Sequence, residues 1–177
     1  MGKWIVDPDH SVAAFSVRHM MIADVRGQFN KIDGTIYFDP LNIDNSSVEL
    51  TINVSSIITG IQKRDDHLRS PDFFDAEKYP LILFKSIRTE SVSGNHAKVT
   101  GDLTIHGITC RITIPAEFSG PVKDPFGDGL SMGFTASAII NREDYDIKWN
   151  QPMENNGIML GREVRLVIDL EADQAPE

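Results

Sequence analysis

The stretch Val99-Thr-Gly-Asp-Leu-Thr-Ile-His-Gly-Ile-Thr-Cys-Arg-Ile-Thr-Ile-Pro-Ala-Glu-Phe118 sets the period of the whole chain. Val99, Gly101, Leu103 and Ile105 share one face of an extended segment, because successive side chains of a strand point to opposite sides. The alternation resumes beyond the loop: Cys110, Ile112, Ile114, Ala116 and Phe118 alternate with Thr109, Arg111, Thr113, Pro115 and Glu117. His106-Gly107-Ile108 between them reads as a tight hairpin loop, with glycine where a positive φ is needed.

The same period extends outward in both directions. Ser11, Ala13, Phe15, Val17 and His19 form one face, as do Val25, Gly27 and Phe29. Ile32, Gly34, Ile36 and Phe38 form another, followed by Val48, Leu50, Ile52 and Val54. Ile82, Phe84 and Ser86 precede the quoted hairpin; Met132, Phe134, Ala136, Ala138 and Ile140 follow it, and Val164, Leu166, Ile168 and Leu170 close the pattern. Many strands with short connections imply antiparallel neighbours around an enclosed apolar interior. A barrel removes the exposed edges of so large a sheet, but a sandwich shares the periodicity, so alternation alone does not choose between them.

Composition narrows the class. With 177 residues and 41% hydrophobic content, the chain suits one domain with a substantial core. No apolar run reaches the ~18 residues of a membrane helix. The opening Met1-Gly2-Lys3-Trp4 is charged before a signal-like apolar region forms, and reads as cytoplasmic; a trimmed native N-terminus would make it periplasmic. A net charge of −9 without a basic stripe speaks against nucleic acid. Cys110, the single cysteine, excludes an intrachain disulfide and reads as a small core residue.

One stretch breaks the strand pattern. In Thr59 to Phe84, Thr59 and Gln62 have the spacing of a capping box. Ile61 and Leu68 fall on one helical face. Pro71 stops the helix, and Ser70 caps a second short turn. The helix is expected across or beside one barrel end. Asp124 to Gly129 reads as a turn with too few ligands for calcium. Asn141 to Gly161 is irregular and reads as a loop or short helix at a cavity mouth. Residues 173–177 read as a disordered tail behind a single domain over 1–172.

The interrupting segment also carries a resemblance. Thr59, Arg64, Asp65, His67 and Leu68 lead into Ser70, Asp72, Phe73, Phe74, Asp75, Tyr79 and Pro80. This order resembles the YceI-like family of polyisoprenoid-binding, lipocalin-like barrel proteins. Trp4, Asp7, His10, Ser11, Phe15, Val17 and His19 match its opening; Val25, Gly27, Phe29 and Gly34 its next hairpin. Gly101, Leu103, Ile105, Gly107 and Thr109 match a later hairpin, and Asp128, Phe134, Ile140, Arg142 and Asp144 its last block. The resemblance implies an all-β, antiparallel eight-stranded lipocalin-like barrel with one or two short helices. It also implies a non-enzymatic protein holding a long-chain polyisoprenoid or related lipid, such as an isoprenoid quinone, for carriage, storage or sensing. A homodimer fits the family, with no residue in the sequence naming its interface.

The residues independently suggest an apolar interior. Phe15, Phe29, Phe38, Phe84, Phe118 and Phe134 fall on the apolar phase, interspersed with Ala13, Gly27, Gly34, Gly101, Ala116, Ala136 and Ala138. The small residues leave room for a cavity or are ordinary barrel packing. Phase and family together name Phe15, Val17, Phe29, Ile36, Phe38, Phe84, Leu103, Ile112, Phe134 and Ile140 as lining. Phe73, Phe74, Trp149 and Met153 are expected to gate an end, and His19, Arg64 or His67 to meet a polar head group; Trp4 is expected to plug one end. No hydrolase elbow, metalloprotease pair or phosphate loop occurs, and no metal or catalytic residue is assigned. A grouping of His10, His19, His67 and Asp65 is required by no spacing. Two other readings stay open: an enzyme for a small apolar substrate using His19 or His67 as acid or base, and an interaction module with a packed interior.

Overall fold

The computed structural model describes residues 1–125, 129–154 and 157–176. Ten strands run in chain order: β1 (Gly2–His19), β2 (Ala23–Phe29), β3 (Ile32–Phe38), β4 (Ser47–Asn53), β5 (Ile57–Ile58), β6 (Leu81–Ser93), β7 (His96–Ile105), β8 (Ile108–Lys123), β9 (Leu130–Asn141) and β10 (Leu160–Gln174). The single α-helix among the described residues, α1, spans Gln62–Arg69 between β5 and β6. Every pairing is antiparallel, and β10 pairs with β1 to close the ring.

The ten segments make an eight-stranded barrel because two staves are broken. β1 pairs with β2 along Ala13–His19 and with β3 along Gly2–Ile5, so β2 and β3 follow one another beside the same long strand. β4 and β5 repeat this arrangement, pairing with β3 and β2 respectively. β1 can span both because its ladder with β10 is interrupted between Asp7 and Val12, an irregularity of the kind that bends a strand around a barrel. The β10–β1 pairing closes the sheet, while β2 is paired on its outer side only at Gln28 and Phe29.

The quoted hairpin takes the expected form. β7 ends at Ile105, β8 begins at Ile108, and His106 and Gly107 have φ of 51° and 75°. Two successive positive φ values give the turn whose twist matches that of its flanking strands.

Strand direction assigns the connections to two ends. At one end lie the β1–β2 turn, α1 with its flanks, the β7–β8 turn and the end of β9 with residues 142–154; the other holds the β3–β4 and β6–β7 connections and the end of β8. A one-turn 3-10 segment at Arg142–Tyr145 follows β9 directly. Trp4 is buried in the core where β1 begins, in register with Ile36 and Gln174.

Three expectations need correction. Thr59 and Gln62 form no capping box: the N-cap is Ile61, with no side-chain cap bond. Thr59 instead donates its N–H (2.8 Å) and its hydroxyl to Asp65 Oδ1, because a buried carboxylate is a stronger acceptor than the Gln62 amide. Ile61 does not share the packed face of Leu68; it is exposed, while Leu68 packs on the core. The short turn expected after Ser70 is present over residues 71–74, with Phe73 N–H on Ser70 O at 3.0 Å. Asp173 and Gln174, read as tail, continue β10 opposite Ile5 and Trp4, and Ala175 N–H reaches Lys3 O at 2.8 Å. Of the expected turn at Asp124–Gly129, Asp124 N–H donates to Gly129 O at 3.0 Å, while Asp128 lies outside the described residues.

Candidate functional site

The inward face of the barrel encloses a cavity of about 400 Å³ with an almost wholly apolar wall. That volume falls within the ~300–1,000 Å³ of small-molecule sites. Its walls follow from alternation: Val17 and Phe15 from β1, Phe29 from β2, Ile36 and Phe38 from β3, Phe84 from β6, Leu103 from β7, Ile112 from β8, Phe134 and Ile140 from β9. His19, Arg64, His67, Phe73, Phe74 and Trp149 also border it. Met153 does not: it sits in the loop after Trp149, its N–H bonded to Gly157 O at 2.9 Å and its sulfur beside Gly157.

The glycines contribute differently from the expectation that they leave room. A Cβ on Gly27 would lie 2.5 Å from the Phe15 ring, and one on Gly101 2.5 Å from the Phe84 ring. On Gly34 it would lie 2.5 Å from Leu50 Cδ2. These glycines are covered by neighbouring side chains and by the carbonyls of Ile58, Glu49 and Lys85, at 2.9, 2.7 and 2.6 Å from the Cβ position; they let Phe15, Phe84 and Leu50 lie flat against the wall, and so widen the interior indirectly. The alanines Ala13, Ala116 and Ala136 border the cavity directly.

The two ends differ chemically. Away from α1, Phe38 packs edge-on to Phe118 and Phe134, with ring centroids 4.9 and 5.9 Å away. At the α1 end, Phe29 packs between Phe15 (5.8 Å) and Phe74 (5.7 Å). His67 there meets the rings of Phe73 and Trp149, each at 5.0 Å. Its Nε2 lies 2.7 Å from Asp72 Oδ2, so a half-exposed histidine is held by one carboxylate and two aromatic edges.

α1 is fastened over this end by polar ties. Arg64 Nε donates to Thr59 Oγ1 at 2.7 Å and its Nη2 to Thr59 O at 2.8 Å. Asp65, buried, accepts from the same threonine. Arg69 donates to Ser55 O (3.0 Å) and Ile57 O (2.7 Å), binding the helix to β5 and the turn before it. The grouping of Arg64, Asp65 and His67 is therefore largely an anchor, although Arg64 and His67 also face the cavity.

Sequence reasoning named Arg142 as part of a family block but gave it no place in the site. It is 5% exposed and borders the cavity at the α1 end. Its Nε donates to Gly161 O at 2.8 Å, and its Nη1 to Ile147 O (2.7 Å) and Trp149 O (2.9 Å). Nη2 is buried without a protein partner among the described residues. Burial lowers its pKa from the ordinary arginine value. Tyr145, one turn on, is buried beside Cys110, and burial raises its pKa strongly. The missed signal was Arg142 between Asn141 and Glu143 immediately after an apolar strand. An arginine there reads as a solvated loop residue unless the returning carbonyls are known.

The histidines are dispersed. His10 Nδ1 lies 2.6 Å from Asp7 Oδ2 on the outside of β1, with Glu171 nearby; it is not joined to His19, His67 or Asp65.

A closed antiparallel barrel with an apolar cavity, covered at one end by a helix and polar anchors, defines a binding barrel. A family model described as the YceI-like domain matches residues 4–172. A UPF0312 protein of Staphylococcus aureus (strain N315) is 38% identical over 165 residues, covering 93% of this chain and 94% of its own. The chain belongs to the YceI-like family. Among solved structures, Burkholderia cenocepacia BcnA superposes with a TM-score of 0.82 at 25% identity, covering 94% of this chain and 98% of its own. The Campylobacter jejuni YCEI protein gives 0.76 at 30%, covering 90% of each chain. A Saccharophagus degradans domain described as polyisoprenoid binding gives 0.71 at 15%, covering 99% of this chain and 100% of its own; at that identity the likeness is one of fold.

Proposed function

We propose that this protein binds a lipid in the barrel cavity, and that the lipid is a long-chain polyisoprenoid or a relative such as an isoprenoid quinone. The observation that carries this reading is the cavity: about 400 Å³, walled by Phe, Ile, Leu and Val from every long stave. Such a wall offers a hydrocarbon chain burial at about 0.8 kcal/mol per CH₂ and gives little purchase to a polar solute. Family membership and the description of the Saccharophagus degradans domain support the isoprenoid assignment by analogy of fold. The role is binding without turnover, for carriage, storage or sensing.

Uptake of a fluorescent prenyl lipid by two variants tests this. Phe134→Glu places a charge among Phe38, Phe118 and the chain, and uptake is expected to vanish. Glu163→Gln, on the exposed face of β10, should leave uptake unchanged. Equal lipid occupancy in both variants would overturn the assignment, and turnover lost on His67→Ala would replace binding with catalysis.

A further inference from the structure

We propose that the β1–β2 turn, Met20-Met21-Ile22, docks the protein on a lipid bilayer, so that the cavity takes its cargo from the membrane surface. This rests on the lipid reading above and adds the source of the lipid and the part of the chain that meets it.

Met20 and Met21 have φ of 50° and 63°, and Ile22 N–H closes the turn on His19 O at 3.2 Å. Two successive positive φ values favour asparagine and glycine, which enter the left-handed region at little cost. His106-Gly107, at the same end of the barrel, follows that preference at its glycine; Met20 and Met21 follow it at neither position. The side chains so placed do not fill the core. Met21 and Ile22 are 66% and 79% exposed, and Met20 is also exposed. Backbone strain and bare apolar surface are two costs that an Asn-Gly turn would avoid together. Neither turn geometry nor the barrel core accounts for these side chains, whereas a surface that buries them does.

Position selects that surface. The turn is continuous with the cavity mouth: His19 and Val25 on either side of it border the cavity. So does Met159, whose carbonyl accepts Met20 N–H at 2.7 Å. Ile158, exposed beside Met159, extends the apolar tip. A second copy seated there would cover the mouth and shut out the cargo; a bilayer buries the same tip and supplies the cargo. No residue from His19 to Ala23 is acidic, and the next carboxylate, Asp24, is paired with Arg18 at 3.3 Å. The tip therefore brings no unpaired carboxylate to the membrane. A net charge of −9 opposes anionic head groups, so the attachment is apolar and a phosphatidylcholine surface suffices.

The test separates uptake from a membrane from uptake in water. Phosphatidylcholine vesicles holding a fluorescent geranylgeranyl lipid and a non-exchanging quencher report extraction as dequenching. The same lipid delivered from cyclodextrin reports affinity with no membrane present. The triple variant Met20→Asn, Met21→Gly, Ile22→Ser relaxes the turn and removes its apolar surface, and urea unfolding should show no loss of stability. Its affinity for cyclodextrin-delivered lipid is expected to stay unchanged, while extraction from vesicles slows by about tenfold, since interfacial binding scales with buried apolar area. Ile22→Trp should retain extraction, and its emission, relative to the unaltered protein, should shift to the blue when vesicles are added. Equal extraction by the triple variant and the unaltered protein, or an unshifted emission, would overturn docking and leave the lipid reading intact. Loss of cyclodextrin-delivered binding in the triple variant would make the turn part of the cavity and also overturn docking. So would faster extraction from vesicles containing phosphatidylglycerol, which would make the attachment electrostatic. A triple variant that changes from dimer to monomer with extraction unaltered would assign the tip to a second copy. Failure of the unaltered protein to take the lipid by either route would overturn the lipid reading itself.

Discussion

Along β7, β8 and β9, each inward side chain is one of several apolar groups facing the cavity, and neighbours on adjacent staves repeat its role. Across the α1 end the arrangement is the opposite. A few polar groups each make contacts that no other residue duplicates: Asp65 and Arg64 on Thr59, Arg69 on the carbonyls of Ser55 and Ile57, Arg142 on three carbonyls of the returning segment. The wall is redundant and non-directional; the cover is singular and directional. Substitutions in the wall should therefore reshape the cavity, and those in the cover should release it.

The largest expected effect lies in the cover. Arg142→Leu leaves the carbonyls of Gly161, Ile147 and Trp149 without their donor, and hydrogen bonds to charged groups contribute about 1.5–3 kcal/mol each. A loss of at least about 3 kcal/mol is expected from urea unfolding. A loss under about 1 kcal/mol would make the cover as redundant as the wall.

Asp65→Ala comes next. It strips the acceptor from the Thr59 N–H and hydroxyl, and should cost about 2 kcal/mol. Hydrogen exchange at α1 should accelerate more than in β7, because the opening is local. Uniform acceleration would contradict the division into wall and cover.

A smaller effect sharpens the wall side. Gly101→Ala drives a Cβ to 2.5 Å from the Phe84 ring and 2.6 Å from Lys85 O, so the ring is pushed into the cavity and the β6–β7 ladder must also shift. Overpacking of this kind costs about 1–3 kcal/mol, and prenyl-lipid uptake should fall severalfold in a protein that remains folded. Unchanged uptake would mean that the glycines do not shape the cavity.

The smallest effect is outside both regions. The Asp7 carboxylate, which bonds His10 and attracts it electrostatically, raises the His10 pKa above its ordinary 6.5. The His10 bond in turn lowers that of Asp7 below 3.8. A raised histidine pKa stabilises the fold below 6.5, and this is lost as pH rises through the folded value; the lowered aspartate contribution is lost as pH falls through its own. The pair therefore acts between those limits. In Asp7→Asn, the His10 midpoint followed by NMR should fall back toward 6.5; an unmoved midpoint would remove the pair.

Much of the wall was legible in the sequence because a strand declares its buried face by period two, and the closed core forbids the alternative phase. Phe15 and Leu103 were placed on the cavity side by this phase together with the family resemblance. The covering of glycines was not legible, since which ring lies on Gly27 depends on the cross-strand partner and not on its neighbours in sequence. The cover was harder still. Thr59 had the spacing of a capping residue, but Asp65 supplied a stronger acceptor from inside the helix. Arg142 acts through carbonyls brought back by the segment 147–161, and nothing in local sequence periodicity marks that return. Met153 was grouped with Trp149 as a gate, yet it follows the Pro152–Ile158 bridge and does not border the cavity.

Native mass spectrometry of the protein purified from its own host, followed by solvent extraction of the cargo, tests the central claim most directly. A stoichiometric lipid with an unbroken apolar chain is the predicted result. An empty protein that also refuses added isoprenoids would contradict the account.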